Sequence, residues 1–177
     1  MSDLFANSSI DQNLESPLAD KMRPQSLDEV IGQHHLLGEG APLQNMISSG
    51  IFSSLILWGP PGVGKTTIAR LLAEHSKSHF EQLSAIFTGV SDLKKVFEAA
   101  KIRRTNGHKT IIFVDEIHRF NKSQQDSFLP FLEDGTITLI GATTENPSFE
   151  LNSAILSRVQ VLVLERLTNS NLENIFE

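Results

Sequence analysis

The sequence predicts an α/β fold in which a five-stranded parallel sheet lies between two layers of helices. Short apolar runs of strand length alternate with segments whose apolar residues recur at helical spacing. Several of the strand-like runs are apolar throughout, as expected for strands buried on both faces. Strands that alternate with helices are typical of parallel sheets. With 177 residues, 40% of them hydrophobic, the chain is long enough for one such core.

The predicted elements follow one another at short intervals. Before the first strand, Ser26 and Glu29 have the spacing of a helix capping box, and Pro42 stands where the first turn of a helix tolerates proline. Near the C-terminus, Ser170 and Glu173 repeat the capping-box spacing. The five predicted strands span residues 55–58, 80–84, 110–114, 138–142 and 159–164. Helices are predicted between them, with apolar faces formed by Ile68, Leu71, Leu72, Leu93, Val96, Phe97 and Ala100.

The distribution of apolar residues divides the chain into three predicted regions. Residues 1–14 are polar and lack any periodicity, which predicts a disordered tail. Residues 15–166 are predicted to form the core domain. Residues 167–177 begin an apolar helical face that the sequence does not complete.

Composition and charge exclude several classes of protein. The chain has no cysteine, which excludes a disulfide framework and a thiolate zinc site. No apolar run approaches the roughly 18 residues of a membrane helix, so no membrane association is predicted. With a net charge of −6, binding to nucleic acid must depend on a local patch. These features predict a cytoplasmic protein.

A glycine-rich segment follows the first predicted strand. Residues 59–66 fit the pattern G-x-x-x-x-G-K-[ST] between a predicted strand and a predicted helix. In such a loop, backbone N–H groups and the positive end of the helix dipole face phosphate oxygens. Lys65 is expected to reach the β- and γ-phosphates of ATP, and Thr66 to offer its hydroxyl to Mg²⁺. The alternative is a simple turn, which the Lys-Thr pair disfavours. The expected nucleotide-binding residues are Gly59, Pro60, Pro61, Gly62, Val63, Gly64, Lys65, Thr66 and Thr67.

Two carboxylates end the third predicted strand, in the pattern of a Walker B motif. Asp115 and Glu116 follow the apolar run 111–114, and ligands of open α/β sheets bind at this end of the strands. Asp115 is expected to bind nucleotide and magnesium, the metal through water, and Glu116 to activate the attacking water as general base. Taken alone, Asp-Glu after a strand is more often a solvated loop. The phosphate loop upstream reverses that preference.

The acidic strand end also spells a tetrapeptide, residues 115–118, that occurs in some helicases. A helicase of that class is therefore a minor alternative, which residues 119–126 do not suit. His118 is interpreted as the start of a helix rather than a metal ligand, because no second His or Cys lies at ligand spacing.

Longer segments around these motifs resemble the AAA+ ATPases, within the clamp-loader-like group. The most similar family is that of bacterial replication-associated recombination protein A and the eukaryotic Werner helicase-interacting ATPase. The segments that carry the resemblance are residues 17–24, 31–33, 58–62, 113–126 and 141–152. The resemblance implies a P-loop NTPase (AAA+) fold and an ATPase that hydrolyses ATP to ADP and phosphate.

The resemblance also implies roles for residues outside the two motifs. Thr144 matches the sensor-1 position that touches the γ-phosphate or the attacking water, with Asn146 as the alternative. Arg158 matches an arginine finger that reaches the ATP of a neighbouring subunit. Ile31 and Gly32 match the segment that contacts adenine. Ser84 matches a polar switch that couples DNA occupancy to the catalytic glutamate.

For the whole protein, the resemblance implies a DNA-dependent ATPase in replication-fork maintenance and recombination. It implies a homo-oligomer that hydrolyses ATP at subunit boundaries. The implied partners are forked DNA or single-strand/double-strand junctions, together with replication proteins. The implied location is the bacterial cytosol or nucleoid. Residues 167–177 would then begin a truncated helical lid, so turnover by this chain alone is expected to be weak. The alternative is a nucleotide-gated binding module with little turnover. A protein-unfolding motor ranks lower, because residues 86–89 only loosely imitate a pore loop.

One cluster of basic residues offers a local site for DNA phosphates. Its positive charges would make binding dependent on salt and independent of sequence. The alternative is a solvated helix face, since Glu98 lies at helical spacing from Lys94 and Lys95. The cluster comprises Lys94, Lys95, Lys101, Arg103, Arg104, His108 and Lys109.

Overall fold

A five-stranded parallel sheet forms the centre of the computed structural model, which describes residues 21–176. The strand order is β2-β3-β4-β1-β5, and all four neighbouring pairs are parallel. The predicted fold class is therefore confirmed. The strands are β1 (Leu55–Trp58), β2 (His79–Ser84), β3 (Thr110–Asp115), β4 (Thr138–Thr143) and β5 (Gln160–Val163).

Helices connect the strands and cover both faces of the sheet. Two 3-10 turns, Leu27–Glu29 and Ile117–Arg119, accompany them. Among the residues that the structure describes, no helix has the length and apolar character needed to cross a membrane. The helices are α1 (His34–Leu37), α2 (Pro42–Ser49), α3 (Lys65–His75), α4 (Val90–Thr105), α5 (Lys122–Ser127), α6 (Leu129–Glu133), α7 (Pro147–Glu150), α8 (Ser153–Leu156) and α9 (Asn169–Phe176).

The strands bury apolar side chains on both of their faces, because successive residues of a strand point to opposite sides of the sheet. In β1, Leu55 and Leu57 join a core that contains residues of α2 and α3. Ile56 joins the opposite core, which contains Leu93 and Phe97 of α4. This double burial explains why β1 and β3 are continuous apolar runs in the sequence.

The strand order determines what lies at the carboxyl edge of the sheet. β4 lies between β1 and β3, although the chain forms it after both. The segment that follows β4 therefore lies between the loop that follows β1 and the carboxylates that end β3. Parallel strands present their carboxyl ends at the same edge, which is where open α/β sheets bind ligands.

Both predicted capping boxes are wrong in detail. Ser26 precedes the first 3-10 turn, but its side chain makes no capping hydrogen bond, and the Glu29 carboxylate instead accepts from the N–H of Gln25 at 2.8 Å. Helix α9 begins at Asn169 rather than after Ser170. Thr168 and Asn171 exchange side-chain to backbone hydrogen bonds there, because both have short polar side chains at capping distance.

The remaining predicted elements agree with the structure to within a residue or two. Pro42 starts α2 as predicted, and a left-handed Gly50 ends that helix. No bounds or apolar face were predicted for the short helices α5 and α6, which lie between β3 and β4, or for α7 and α8, which lie between β4 and β5. The tail predicted for residues 1–14 lies outside the described residues.

Candidate nucleotide site

Two adjoining cavities lie at the carboxyl edge of the sheet. They share Gly62, Gly64 and Thr67 in their walls, and each has a volume of about 510 Å³. The first, called here the polar cavity, is lined by Arg23, Pro61, Gly62, Gly64, Lys65, Thr66, Thr67, Asp115, Glu116 and Thr144. The second, called the apolar cavity, is lined by Met22, Pro24, Asp28, Glu29, Val30, Ile31, Gly62, Val63, Gly64, Thr67 and Leu167.

The glycine-rich loop adopts a backbone that side chains rarely tolerate. Gly62 has φ +77° and Gly64 has φ +99°, both in the left-handed region that favours glycine. Gly64 is followed at once by α3, so the N-terminus of this 11-residue helix opens onto the cavities. Unpaired N–H groups and the positive dipole end of a helix attract anions, and phosphate above all.

Lys65 is held against the loop that precedes it. Its side chain is largely buried, and its ammonium group donates hydrogen bonds to the carbonyl of Gly59 at 2.6 Å and to that of Pro60 at 2.8 Å. Burial lowers the pKa of Lys65, and the negative charges of Glu116 and Asp115 oppose that shift. The ammonium group thus lies in the field of both carboxylates.

The predicted loop residues divide into two groups. Most of them line a cavity: Pro61, Gly62, Val63, Gly64, Lys65, Thr66 and Thr67. Gly59 and Pro60 line neither of the two, and instead supply the carbonyls that accept from Lys65. A Cβ atom at Gly59 would lie 2.7 Å from the carbonyl oxygen of Leu164, so glycine is needed there for close packing after β5.

The carboxylates of Asp115 and Glu116 enter the polar cavity from β3. Asp115 is the last residue of the strand, and its Oδ1 accepts from the N–H of Glu116 at 3.0 Å. Glu116 has φ +55°, a left-handed conformation that costs a residue with a side chain about 1–2 kcal/mol. Strained backbone of this kind concentrates at functional sites.

A histidine connects Glu116 to the neighbouring strand. His118 Nε2 lies 3.2 Å from Glu116 Oε2, and His118 Nδ1 lies 2.8 Å from Thr143 Oγ1 at the end of β4. The Thr143 hydroxyl oxygen also accepts from the N–H of Glu145 at 3.0 Å. Sequence reasoning missed this chain of contacts. The features of the sequence that could have revealed it are the histidine two residues after Glu116 and the Thr-Thr pair at the end of β4.

The structure separates the two alternatives for the residue after β4. Thr144 lines the polar cavity together with Asp115 and Glu116. Asn146 is occupied elsewhere, because its side-chain oxygen accepts from the N–H of Ser148 and caps α7.

The apolar cavity is formed by segments far apart in the sequence. Ile31 lines it, whereas Gly32 does not. Gly32 has φ +82°, and a Cβ atom there would lie 2.6 Å from Leu167 Cδ2. The fully buried Gln33 fastens the two segments, since its side-chain amide donates to the carbonyl of Glu165 at 2.8 Å and accepts from the N–H of Glu165 at 3.1 Å.

Arg158 lies apart from both cavities of its own chain. It follows α8 and is exposed, and its guanidinium donates to the carboxylate of Glu133 and to the carbonyl of Ala154 at 2.7 Å. Within one copy of the chain, Arg158 therefore does not join Lys65 and Glu116.

The predicted basic cluster is dispersed and partly neutralised. Lys101 pairs with Glu98, Arg103 with Glu81, and Arg104 with Asp134, at N–O distances of 3.0, 3.6 and 3.6 Å. Lys94 and Lys95 lie near the start of α4 and Arg104 near its end, about 15 Å away at 1.5 Å per residue. Glu98 pairs with Lys101 rather than with Lys94 or Lys95, the two partners that its spacing suggested, and a contact of the cluster with DNA stays a prediction.

The polar cavity offers oxygen donors that fit a magnesium-bound triphosphate. The Thr66 hydroxyl and the Asp115 carboxylate both line it, and Mg²⁺ prefers oxygen ligands while keeping several waters. Within residues 21–176, no group of three or more His, Cys, Asp or Glu side chains forms a dedicated metal cage. A site with few protein ligands is typical of Mg²⁺ that is bound together with nucleotide phosphates.

A glycine-rich loop between a parallel strand and a helix, facing carboxylates from a neighbouring strand, defines a P-loop nucleotide-binding protein. Residues 55–167 match the model of the family described as ATPase family associated with various cellular activities (AAA). The chain belongs to this family of ATPases.

Relatives with similar sequences extend well beyond the length of this chain. Replication-associated recombination protein A of Escherichia coli K12 is 53% identical over 173 residues, which are 97% of this chain and 39% of the relative. The ATPase WRNIP1 of Dictyostelium discoideum is 49% identical over 162 residues, 92% of this chain and 18% of the relative. The resemblance identified from the sequence is thus confirmed.

Solved structures with the same fold include the Thermotoga maritima RuvB Holliday junction branch migration motor. It superimposes with a TM-score of 0.70 at 31% sequence identity, covering 87% of this chain and 52% of that one. The likeness confirms the AAA+ arrangement of the sheet and its helices.

Proposed function

We propose that this chain binds Mg-ATP across the two adjoining cavities and hydrolyses it, as the ATPase core of a protein that acts on DNA during replication-associated recombination. One observation carries the proposal. The side chains of Lys65, Asp115, Glu116 and Thr144 line a single cavity, although they come from three separate segments of the chain. Their types match the needs of phosphoryl transfer, which depends on positioning and on charge stabilisation.

Each cavity receives a different part of the nucleotide. The apolar cavity, with Val30 and Ile31 in its wall, takes the adenine. The polar cavity takes the phosphates, which the N–H groups of the loop and the Lys65 ammonium bind. Thr66 and Asp115 hold the metal, the latter through water. When bound, Mg²⁺ neutralises charge on the β- and γ-phosphate oxygens.

Two side chains act on the attacking water. Glu116 accepts a proton from it as general base, a contribution typically worth about 10²–10⁴-fold in rate. Thr144 lies in the same cavity and orients the water or the γ-phosphate through its hydroxyl. The positive charge of Lys65 stabilises the negative charge that builds up on the transferred group.

The domain limits and the assembly are parts of the same proposal. Residues 15–166 form the ATPase core, and residues 167–177 begin a helical lid whose Leu167 reaches the apolar cavity. Arg158 of one copy completes the site of the next copy, which makes the active form an oligomer. Forked DNA or a single-strand/double-strand junction is the proposed partner, in keeping with the names of the relatives.

The test is the variant Glu116→Gln, which preserves shape and removes the base. We expect turnover to fall by about 100-fold or more while the affinity for ATP changes less than about 3-fold. Steady-state phosphate release and equilibrium binding of labelled ATP measure the two quantities, each with and without forked DNA.

The control is Glu39→Gln, an exposed glutamate remote from both cavities. It is expected to match the parent. Binding of ATP without turnover in the parent would instead identify a nucleotide-gated module. Failure of the parent to bind ATP would contradict the proposal as a whole.

A further inference from the structure

The second residue after the Walker B carboxylates has a defined set of partners. His118 is the middle residue of the 3-10 turn Ile117–Arg119, and only 8% of its side chain is exposed. Its two ring nitrogens face two different groups, Glu116 on one side and Thr143 on the other. A buried imidazole with a partner at each nitrogen is held in one orientation.

The backbone that carries His118 is fixed from both sides. The turn closes through hydrogen bonds from Arg119 N–H to Glu116 O at 2.9 Å and from Phe120 N–H to Ile117 O at 3.1 Å. Ile117 and Phe120 are buried in the same core. The backbone of the turn therefore cannot shift without disturbing packed apolar side chains.

The partners assign the protons of the ring. A carboxylate only accepts, so the 3.2 Å contact between Nε2 and the Glu116 carboxylate is favourable when Nε2 carries a proton. The Thr143 hydroxyl has two acceptors within reach, Nδ1 at 2.8 Å and the carbonyl of Glu145 at 3.2 Å, and the shorter contact assigns its proton to Nδ1 of a ring that is protonated at Nε2. The Thr143 oxygen in turn accepts from the N–H of Glu145. Every donor in this series has an acceptor.

We infer that His118 is a positioning residue for the general base, linking the orientation of the Glu116 carboxylate to the end of β4 through Thr143. The inference rests on the proposed function and deepens it. His118 fixes Oε2 of Glu116, so Oε1 is the oxygen that receives the proton of the attacking water. Holding a base in its reactive orientation lowers the barrier without tightening the binding of ATP.

The contact between His118 and Thr143 also connects Glu116 to the end of β4. Thr143 is followed directly by Thr144, which lines the polar cavity. A displacement of this strand end by contact with the γ-phosphate would therefore move the hydroxyl that orients His118. Glu116 and Thr144 are coupled through two side chains, although they follow different strands.

The experiment compares His118→Gln with His118→Asn. The amide nitrogen of glutamine reaches the position of Nε2 and can still donate to Glu116, whereas the amide of asparagine reaches only the position of Nδ1. We expect kcat to fall about 10-fold or more in His118→Ala and His118→Asn, and to recover at least partly in His118→Gln. The Kd for ATP is expected to stay within about 2-fold of the parent in all three.

Thr143 provides a matched pair on the other side of the ring. Thr143→Val removes the hydroxyl at nearly constant shape, and Thr143→Ser keeps it. We expect a lower kcat in the first and a parent-like kcat in the second. Equal rates in the asparagine and glutamine variants, or an unchanged kcat in His118→Ala, would overturn the inference.

Nitrogen-15 NMR of the His118 ring gives a readout that needs no turnover. The parent is expected to show a protonated Nε2 and an unprotonated Nδ1, with the Nδ1 signal shifting in Thr143→Val. A proton on Nδ1 alone would overturn the inference.

The Glu116→Gln variant, assayed in parallel, separates the two proposals. If it loses turnover while the His118 variants keep theirs, the proposed function stands and the inference fails. If it keeps turnover, the proposed function fails.

Discussion

The two sides of the polar cavity are built in different ways. The phosphate side comes from one continuous segment, residues 59–67, and relies on backbone groups and a helix N-terminus. The carboxylate side comes from the ends of β3 and β4 and relies on side chains that hold each other. A site can therefore combine a local motif, which binds, with a tertiary arrangement, which orients the reacting groups. Variants of the phosphate side should change the affinity for ATP, and variants of the carboxylate side should change the rate of turnover.

The largest expected effect on kcat concerns Arg158, which would reach the site from a neighbouring copy of the chain. Arg158→Ala is expected to lower kcat by about 10³-fold if its guanidinium completes the site of a neighbouring copy. Mixing Arg158→Ala with Glu116→Gln in equal amounts should then restore turnover, because some interfaces combine an intact Glu116 with an intact Arg158. Random assembly places about a quarter of the sites in that class.

Phosphate release by the mixture, compared with release by each variant alone, tests whether Arg158 acts in a neighbouring copy. A mixture that stays as inactive as its components would refute the trans role. Full activity of Arg158→Ala alone would remove Arg158 from the site altogether.

The next largest effect belongs to the phosphate side. Lys65→Met keeps the aliphatic stem and removes the charge, so we expect the Kd for ATP to rise about 100-fold, since charge-assisted hydrogen bonds to phosphate are lost. Titration with labelled ATP measures the change. Lys122→Ala, at an exposed lysine, serves as the control. The comparison between the two sides fails if His118→Ala weakens ATP binding as much as Lys65→Met does.

The smallest effect tests the packing beneath the carboxylate side. A Cβ atom at Gly141 of β4 would lie 2.7 Å from Ile56 Cδ1 and 2.9 Å from Ile117 Cδ1. Gly141→Ala is therefore expected to lower the free energy of unfolding by about 1–3 kcal/mol, since the core must shift to admit a methyl group. Urea denaturation followed by circular dichroism measures this change.

A double variant makes that prediction specific. Ile56→Val removes the Cδ1 atom at the shorter distance, so Gly141→Ala combined with Ile56→Val should be more stable than the sum of the two single changes predicts. Strict additivity would show that the close approach at Gly141 is not the cause.

The sequence predicted the glycine-rich loop and its place between β1 and α3, because the determinants of that loop are adjacent residues. A glycine pattern followed by Lys-Thr specifies the loop conformation locally, and the flanking apolar run and helical face specify its setting. The carboxylate side was predicted only in part. Asp115 and Glu116 were identified, but strand order decides what lies opposite them, and sequence spacing does not reveal that β4 lies between β1 and β3.

The two threonines at the end of β4 show most clearly what sequence spacing cannot predict. Thr143 and Thr144 are chemically equivalent in the sequence, and a strand directs successive side chains to opposite sides. In the structure, Thr143 is buried against His118 and Thr144 lines the polar cavity. The predicted capping boxes were wrong for a related reason. Spacing alone did not distinguish Ser170 and Glu173 from the nearby Thr168 and Asn171, which bond to each other.

Gln33 connects the two segments that form the walls of the apolar cavity. Its amide pairs with both backbone groups of Glu165, as a neighbouring strand would, and so extends the sheet edge with a single side chain. The chain beyond Glu165 leads to Leu167, which forms part of the cavity wall, and then to α9. Gln33 thus ties the segment that carries Val30 and Ile31 to the segment that carries Leu167, so that both walls of the apolar cavity depend on one buried amide.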